Sequence, residues 1–458
     1  MPQLTYYITK LLEYCEKENF SGYDLYDGLN SLIFVKSPLY KSRICRLVFI
    51  QLIKRLPINI RPLLLIPKTQ NPKALALFLM AFVKLKKAGL LENDNLTDLM
   101  IERLIALRSP QHLVATRGLD FSDQRSAISE NTGEQGYNLE IFQPVLAEDW
   151  NNSKFKIQNS RLSCDSNKPN KLNEHQIPTN PIKQTDQIDY SCWGYSFPWQ
   201  TRTVLVPRGY PNLVCTVFVA NALLDVYEFK KDKRCLDIAK SAAEYILNEL
   251  YWEEDNIAGF SYPLPSLRNK VHNANFLGAA LLTRIYAYTS ENKFIEPALK
   301  AARYSASRQN QDGSWFYGEH PTQKWIDNFH TGYNLCALKA INEYADTTEF
   351  ASNIKYGFEF YSRHFFEKDT IPKYFHDRTY PIDIHSVAQS IITLLALDDF
   401  GGDRNLAQSV LKWALNNLWN NGGYFYFQVT PYYKNRIAYM RWSQAWMLFA
   451  LATSLSSL

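Results

Sequence analysis

FIEPALKAARYSASRQNQDGSWFYGE, residues 294–319, is one unit of the pattern that decides the fold. Its first part, 294–309, carries apolar residues at spacings of three and four, which indicates an amphipathic helix. A glycine-containing breaker and a group of aromatic residues come next, and a more apolar helical run begins at residue 330. The stretch therefore predicts a helical hairpin: an amphipathic helix, an aromatic-flanked turn and an apolar helix.

This unit recurs at intervals of about 55 residues, a spacing typical of stacked helical hairpins. The amphipathic segments cover 235–250, 294–309, 350–366 and 405–419, and the apolar segments that follow them cover 273–288, 330–344, 384–397 and 441–455. An amphipathic helix buries one face, whereas a helix that is apolar all round is buried on every side. We therefore expect the amphipathic helices outside and the apolar helices inside.

The N-terminal half continues the pattern less regularly. Segments 41–55 and 72–87 are interpreted as one hairpin, and segment 95–108 is paired with 212–229. Strand signals are few, and 200–206 is the best candidate. The count is then six hairpins, the number that closes a ring.

The predicted fold is an all-α (α/α)6 toroid, with six helical hairpins around an inner parallel barrel. The inner helices are predicted at 212–229, 274–289, 330–345, 385–398 and 440–456. A two-domain α-solenoid is the alternative architecture. We expect one domain over 1–458, with a flexible polar insertion at about 117–187, because that segment is rich in Asn, Ser, Asp, Lys and Pro and lacks apolar periodicity.

Composition narrows the class of protein. Apolar residues make up 46% of the chain and charged residues 21%, which allows a large core. The net charge of +5 is too small to argue for a nucleic-acid partner. The 29 Tyr, 26 Phe and 10 Trp suit either a large helical core or the stacking faces of a sugar-binding cleft.

The cysteines and the apolar segments indicate the cellular compartment of the protein. Seven scattered cysteines without a CxxC pair favour reduced thiols and a cytoplasmic protein. The N-terminus lacks the pattern of a signal peptide, and the longest apolar run, 74–83, is about half of what a membrane span needs. The basic segment 42–56 is compatible with a membrane surface, but an outer helix with a solvated face is the preferred interpretation.

Polar residues gather where each inner helix begins. Parallel inner helices bring their N-termini, with unpaired N–H groups and partial positive charge, to one end of the ring. Three histidines, His272, His330 and His385, occupy corresponding places in consecutive repeats. Capping explains single residues such as Asp327, but it does not explain the repeated histidines. The sequence therefore predicts a cleft at this end that favours anionic groups, with these side chains around one cavity.

Long motifs in the chain resemble a known family. They include GYDLYDGLNS (22–31), WGYSFPWQTR (193–202), QNQDGSWFYGE (309–319), WIDNFHTGYNL (325–335) and YPIDIHSVAQSI (380–391). The sequence resembles VpsJ-like bacterial polysaccharide-biosynthesis proteins over 1–110 and 190–458, and such proteins look like members of the six-hairpin glycosidase and terpenoid-cyclase/prenyltransferase toroids. The resemblance implies a role in exopolysaccharide or surface-glycan assembly, with an oligo- or polysaccharide substrate and an association with membrane glycan-assembly machinery.

Candidate site residues follow from these clusters. The predicted catalytic residues are the acids, histidines and tyrosine of two consecutive repeats: Asp327, His330, Tyr333, Asp383 and His385. The predicted substrate-binding residues are polar or aromatic groups at the same end: Asp27, Arg208, His272, Asn273, Asn275, Trp315, Tyr317, Glu319, Trp325, Gln389, Arg441 and Trp442. No metal ligand set and no cofactor is predicted, because HExxH and Cys/His spacings are absent.

The sequence leaves the reaction open. Hydrolysis of a glycosidic bond needs two carboxyls, for which Asp27, Glu319, Asp327 and Asp383 are candidates. Elimination or epimerisation of a uronic acid instead needs a base and a proton donor, such as His330 and Tyr333. In that case Asn273, Asn275 or Arg441 is expected to neutralise the substrate carboxylate.

Two functions from other classes remain, and the first is that of a terpenoid cyclase/prenyltransferase-like enzyme. Residues 309–315 match the QxxxGxW pattern of triterpene cyclases, a largely structural pattern, but no DxDD run accompanies it. A non-catalytic glycan-binding protein is the other alternative. It would pair all the acids of the cleft in salt bridges.

Overall fold

The computed structural model describes residues 2–110, 113, 189–201, 204–368 and 370–456. Its α-helices are α1 (Pro2–Lys17), α2 (Leu32–Lys36), α3 (Arg43–Arg55), α4 (Pro72–Lys87), α5 (Asn95–Ala106), α6 (Leu213–Lys230), α7 (Lys233–Tyr245), α8 (His272–Thr289), α9 (Ile295–Ala306), α10 (Asn328–Tyr344), α11 (Ala351–His364), α12 (Ile384–Ala396), α13 (Arg404–Asn417) and α14 (Trp446–Ser456). The insertion predicted at about 117–187 lies outside the described residues.

The strands are short and lie in the connections between helices. They are β1 (Trp199–Gln200), β2 (Leu205–Val206), β3 (Tyr251–Glu254), β4 (Ile257–Phe260), β5 (Phe366–Glu367), β6 (Ile371–Pro372), β7 (Ile382–Asp383), β8 (Trp419–Asn420), β9 (Tyr424–Phe425), β10 (Gln428–Val429) and β11 (Lys434–Asn435). The strand expected at 200–206 is the antiparallel β1–β2 hairpin. The sheet β11–β10–β7 pairs Gln428 with Asp383 and so fixes the backbone just before α12.

Six helices form the inner layer of the ring. Going round it, α4, α6, α8, α10, α12 and α14 each contact the next, and a contact between α14 and α4 closes the circle. The predicted toroid is therefore confirmed, and the open two-domain solenoid is wrong. The predicted inner segments all fall on inner helices, within a few residues of their observed bounds.

The outer layer corrects the expected hairpins. Helices α5, α7, α9, α11 and α13 pack on α4, α6, α8, α10 and α12, and the sixth outer position, on α14, belongs to α1. The 41–55 segment, expected as the outer partner of 72–87, is not an outer helix of the ring, because α3 packs on the short helical turns 27–30 and 38–41 and on β1. Likewise 95–108 packs mainly on α4, not on 212–229.

The physical reason lies in what each helix buries. Helix α1 buries Ile8, Leu11 and Cys15, a stripe at spacings of three and four. Helix α3 buries Arg46, Ile50 and Ile53 but leaves an apolar row on its other side exposed. Both helices are amphipathic in sequence, so only the tertiary contacts show which one completes the ring.

Four inner helices begin with the same device. Asn71, Asn212, Asp327 and Asp383 each precede a helix and accept a hydrogen bond from a backbone N–H in its first turn. The last inner helix instead begins with a π-helical turn, Met440–Ala445, which runs into α14. Capping therefore does account for part of the polar pattern, and it fixes where the first-turn side chains stand.

No helix among the described residues is long and apolar enough to span a membrane.

Candidate functional site

The N-terminal turns of the inner helices meet at one end of the ring. Lys73 at the start of α4 places its Nζ 4.0 Å from the ring centre of Phe218 on α6 and 5.3 Å from that of Tyr333 on α10. Phe329 on α10 stacks on His385 of α12 at 4.4 Å between ring centres. Side chains from four inner helices thus converge, as the parallel inner barrel predicts.

A small cleft of about 200 Å³ lies at this end. It is lined by residues of α8, of α10 and of the segment between α9 and α10, namely Asn273, Trp315, Phe316, Tyr317, Trp325, Asp327, His330, Thr331 and Asn334. One wall is aromatic, since Tyr317 and Trp325 stack with ring centres 4.4 Å apart. Flat aromatic faces of this kind suit the apolar faces of sugar rings.

Asp327 and His330 form a dyad in the cleft. Asp327 Oδ1 accepts the His330 backbone N–H at 2.9 Å, and its Oδ2 lies 2.7 Å from His330 Nδ1. Trp325 Nε1 donates to the same Oδ2 at 2.9 Å. The carboxylate is buried, whereas the imidazole keeps 21% of its surface exposed. Since Asp327 engages Nδ1, the ring is held with Nε2 as the nitrogen left for a ligand.

Two amide oxygens in the cleft lack partners. Asn273 Oδ1 and Asn334 Oδ1 are buried and have no hydrogen-bond partner among the described residues. Asn334 lies one helical turn after His330, on the same face of α10. A buried acceptor without a partner costs about 1–3 kcal/mol. Both oxygens are able to accept hydrogen bonds from the hydroxyl or amide donors of a ligand.

Tyr333 and His385 form a second pair, deeper in the ring. The Tyr333 hydroxyl lies 2.6 Å from His385 Nε2, and both side chains are buried. His385 is packed between Phe329 and Trp446, with ring centres 4.4 Å from each. Burial lowers the pKa of His385 well below its usual value and raises that of Tyr333 well above it, so the pair is neutral.

Asp383 is also enclosed. Its Oδ1 accepts the His385 backbone N–H at 2.8 Å, and Trp442 Nε1 donates to its two oxygens at 2.9 and 3.1 Å. Burial raises the pKa of this carboxyl to about 7, and these hydrogen bonds only partly oppose the effect. Asp383 thus holds or loses a proton near neutrality, but its oxygens are engaged by the protein.

A buried ion-pair network borders this region. Arg441 holds Asp24 by two bonds of 2.6 and 2.7 Å, and Arg61 Nε donates to Asp27 Oδ1 at 2.7 Å. Asp27 Oδ2 accepts the backbone N–H of Asp24. Burial raises the pKa of Asp27 to about 6 against the pull of Arg61. Asp27, expected in the cleft as a substrate group, is therefore a member of a closed network.

Lys73 is the unusual member of the centre. It is 3% exposed, and within the described part of the chain its ammonium group has aromatic neighbours, Phe218, Tyr333 and Trp446, but no ion pair. Burial and the nearby Arg441 lower its pKa well below the usual value. Lys73, Asp24 and Arg61 are not among the residues predicted from the sequence. The sequence signal for Lys73 is its place right after the Asn71–Pro72 cap, and the signal for Asp24 is that it is the first acid of the 22–28 motif.

Several other candidates have structural partners. His272 Nδ1 lies 3.3 Å from Ser305 Oγ, and burial lowers the His272 pKa to about 4. Asn275 bonds Ser305 and the backbone of Phe260. The three histidines of consecutive repeats therefore do not surround one cavity, because His272 faces the outer helix α9 and His385 faces the aromatic centre.

The remaining candidates are placed as follows. Trp315 lines the cleft while its Nε1 donates to the Ser305 carbonyl. Glu319 pairs with Arg308 at 3.0 Å. Gln389 bonds Thr393 within α12. Arg208 has its pKa lowered by burial.

The QxxxGxW segment is structural, as its resemblance implies. Gln309 Nε2 donates to the carbonyls of Gly313 and Asn353 and so ties the turn to α11. Gly313 has φ +91 and stands against the Tyr356 carbonyl, where a Cβ would lie 2.2 Å away. Only glycine fits this close approach.

Over the described residues, no group of three or more His, Cys, Asp or Glu side chains could hold a metal ion. The six cysteines within those residues are free thiols.

Comparisons with known proteins give similar folds at low identity. No family profile matches the sequence, and no curated protein matches it. An unsaturated glucuronyl hydrolase from Bacillus sp. GL1 is 13% identical over 52% of this chain and 74% of that chain, with a TM-score of 0.43. A family 76 glycoside hydrolase from a bovine Bacteroides thetaiotaomicron strain is 15% identical over 52% and 55%, with a TM-score of 0.41.

A sugar epimerase from a ruminal bacterium is 14% identical over 55% of this chain and 75% of that chain, with a TM-score of 0.39. At 13–15% identity these proteins do not define the reaction of this chain, which depends on the residues of its own cleft.

Proposed function

We propose that the protein is a carbohydrate-active enzyme that removes a proton from an acidic sugar, with His330 as the base. The observation that carries this proposal is the 2.7 Å contact between Asp327 Oδ2 and His330 Nδ1. A carboxylate on Nδ1 fixes the tautomer in which Nε2 is an acceptor, and it stabilises the imidazolium that forms when Nε2 takes a proton.

The walls of the cleft support a glycan as substrate. Tyr317 and Trp325 offer stacking faces beside His330, and the unpartnered Oδ1 atoms of Asn273 and Asn334 can accept hydrogen bonds from sugar hydroxyls. Lys324 places its ammonium group 4.5 Å from the ring centre of Phe316, at the margin of the cleft. This positive charge favours a uronic acid, whose carboxylate is negative.

The chemical step follows from these positions. His330 Nε2 takes the proton from C5 of the uronate, and the electron pair of the C5–H bond moves into the adjacent carboxylate. In elimination the C4–O bond then breaks, and the leaving oxygen takes a proton. Tyr317, whose pKa burial holds well above its usual value, keeps its phenolic proton and lies 4.7 Å from His330 between ring centres, so it can supply it. In epimerisation Tyr317 instead gives its proton to C5 from the opposite face, and His330 keeps the proton that it removed.

Hydrolysis is the second candidate, favoured by the raised pKa of Asp383, which is typical of a general acid. However, both Asp383 oxygens accept hydrogen bonds from Trp442, and Asp327 is the carboxyl that lines the cleft with His330. Hydrolysis would need two free carboxyls on either side of a glycosidic bond. The residues that line the cleft instead offer one carboxyl paired with a histidine base, which favours proton removal.

The biological setting is part of the same proposal. The resemblance of the sequence to polysaccharide-biosynthesis proteins supports a role in tailoring a surface glycan alongside membrane glycan-assembly machinery. The free thiols of the described residues fit a cytoplasmic protein.

Solvent deuterium exchange tests the proposed chemistry. The protein is incubated in D2O with uronic-acid oligosaccharides, and deuterium at C5 and unsaturated products are measured by NMR and mass spectrometry. We expect exchange or elimination, with a loss of at least about 100-fold in His330→Ala. His320→Ala is the matched control, since His320 is an exposed histidine bonded only to nearby Thr322.

Each outcome has a meaning. Full activity in His330→Ala, or saturated hydrolysis products without C5 exchange, overturns the proposal. Thermal stabilisation by the oligosaccharides without any reaction identifies a binding protein. Stabilisation only by isoprenoid diphosphates supports the terpenoid alternative.

A further inference from the structure

Exposed apolar side chains are concentrated in one part of the molecule. Of the seventeen large hydrophobic side chains exposed among the described residues, ten lie between residues 32 and 65. All ten are Leu, Ile or Val, whereas five of the other seven are Tyr, which carries a polar hydroxyl. Scattered exposed hydrophobics are normal, but a cluster marks a surface that meets something apolar. We call this cluster the 32–65 surface.

Helix α3 supplies its centre. Ile44, Val48 and Leu52 follow one another at a spacing of four residues, and they are 67%, 61% and 52% exposed. They therefore form a single row along the outside of the helix. The opposite side of α3 is anchored by Ile50 and Ile53. The outward face of 42–56, which was expected to be solvated, is exposed and carries this apolar row.

The neighbouring segments extend this row. Leu32, Ile33 and Val35 are exposed on α2, and Phe34 between them stacks on Phe49 of α3 at 4.0 Å between ring centres. The loop after α3 exposes further aliphatic side chains, among them Leu63 at 77%. That loop is tied to the start of α2 by a hydrogen bond from Ser31 Oγ to the Leu64 carbonyl. The three segments form one packed unit whose outside is apolar.

The charges of the 32–65 surface have one sign. Residues 28–91 contain no Asp or Glu, although the whole chain has 45 acids against 50 bases. Lys36, Lys41, Arg43 and Arg55 are exposed beside the apolar row. A helix face of bulky aliphatic residues bordered only by basic residues fits an anionic lipid surface, where apolar groups enter the acyl boundary and lysines or arginines meet the headgroups.

We propose that the 32–65 surface docks on an anionic lipid membrane, with α3 lying in the plane of the interface. This inference does not depend on the reaction catalysed. The inference does concern where the cleft would lie relative to the membrane. Helix α3 packs on the 27–30 turn, and its Lys54 Nζ lies 3.2 Å from the Tyr26 hydroxyl. Tyr26 in turn meets Trp442, with ring centres 5.7 Å apart. Docking would place the end of the ring that bears the cleft next to the lipid.

Vesicle sedimentation tests the proposal. The full-length protein is mixed with vesicles of phosphatidylcholine alone, or of three parts phosphatidylcholine to one part phosphatidylglycerol, at low and high salt. We expect binding to the anionic vesicles that weakens with salt. It should fall by at least about tenfold when Lys41, Arg43 and Arg55 are changed to Glu. The matched control changes Lys233, Lys355 and Lys412 to Glu, since these are exposed lysines of α7, α11 and α13.

The apolar row is tested separately. The triple variant Ile44→Gln, Val48→Gln, Leu52→Gln keeps good helix formers on α3 and should lose binding to the anionic vesicles. Leu90→Gln, Phe229→Gln, Tyr356→Gln removes three exposed apolar side chains elsewhere and should bind as the unchanged protein does. Circular dichroism and thermal melting verify that each variant is folded.

Three results would overturn the inference. These are no binding to the anionic vesicles, equal binding by the α3 triple variant, or a loss in the control variants as large as in the test variants. If the unchanged protein ignores vesicles but is a dimer that the α3 triple variant makes monomeric, the partner of this surface is a second copy of the chain.

Discussion

Asp327 holds both the helix that carries His330 and the ring of His330 itself. Its Oδ1 accepts the His330 N–H at 2.9 Å as the cap of α10, and its Oδ2 lies 2.7 Å from His330 Nδ1. One buried carboxylate therefore sets the position of the backbone and the orientation of the imidazole. A residue that caps a helix can therefore also take part in the chemistry of the site.

Asp327→Asn and Asp327→Ala separate these two roles. Asparagine caps helices as well as aspartate does, so Asp327→Asn should keep the cap and lose only the hydrogen bond from Trp325, while alanine should lose the cap as well, at a further cost of about 1 kcal/mol. However, an Asn Nδ2 facing His330 donates to Nδ1 and moves the ring proton to Nε2, which removes the base. We expect Asp327→Asn to lose at least about 100-fold in C5 exchange. Nitrogen NMR of the imidazole should show the change of tautomer, and an unchanged tautomer would contradict the orienting role.

The repeat predicted the ring because its signal is local. Whether a helix is apolar on one side or all round can be counted along 15 residues, and the contrast between 294–309 and 330–344 occurs in each unit. The choice between α1 and 41–55 for the sixth outer helix could not be made this way. Both are amphipathic, and what distinguishes them is the contact of α1 with α14, at the other end of the chain.

The site was predicted in part for the same reason. His330 and Asp327 are three residues apart, so their pairing follows from helix geometry. Arg441 and Asp24 are 417 residues apart, and no local pattern joins them. The prediction of a single cavity also failed, because it did not account for the direction in which each side chain points. First-turn residues of neighbouring helices point to different places, so His272 meets Ser305 while His385 meets Tyr333.

Asp383 should make stability depend on pH. Burial raises its folded pKa to about 7, whereas an unfolded aspartate titrates near 3.9. Between these values the folded protein binds the extra proton, so the contribution of Asp383 to stability falls as pH rises from about 4 to about 7. The full effect is on the order of 4 kcal/mol. Asp383→Asn should therefore gain stability relative to the unchanged protein as pH rises through this window.

Urea unfolding of both proteins across this pH range measures the difference. The comparison removes the titration of all other groups, since they are common to the two chains. A difference that does not change with pH would show that Asp383 is not protonated in the folded state near neutrality.

Gly332 marks the close contact of α10 with α12. A Cβ at this position would lie 2.6 Å from Thr393 Oγ1 and 2.8 Å from Gln389 Cγ. Both neighbours are buried side chains of α12, so these side chains have to shift within a packed contact to make room. We expect Gly332→Ala to destabilise the protein by about 1–3 kcal/mol in thermal or urea unfolding. Gly28→Ala is the control, because its Cβ would meet its nearest neighbour at 3.6 Å and should be tolerated. Equal stability of both variants would contradict the tight contact.

Lys73 should weaken the fold in a way that depends on pH. Its Nζ is buried against Phe218, Tyr333 and Trp446, and burial lowers its pKa well below the usual value. An unfolded lysine titrates near 10.4, so between the lowered pKa and that value the unfolded chain binds more protons and stability rises with pH. The variant Lys73→Met tests this, because it keeps the length of the side chain without the amine.

We expect Lys73→Met to be more stable than the unchanged protein at pH about 7, and we expect this difference in stability to shrink towards pH about 10. Lys84→Met, a lysine of the same helix further from its start, is the control with a smaller effect, since its pKa is lowered less. If Lys73→Met is instead less stable at neutral pH, the ammonium group is charged and held by its aromatic neighbours, and the neutral centre derived from burial is wrong.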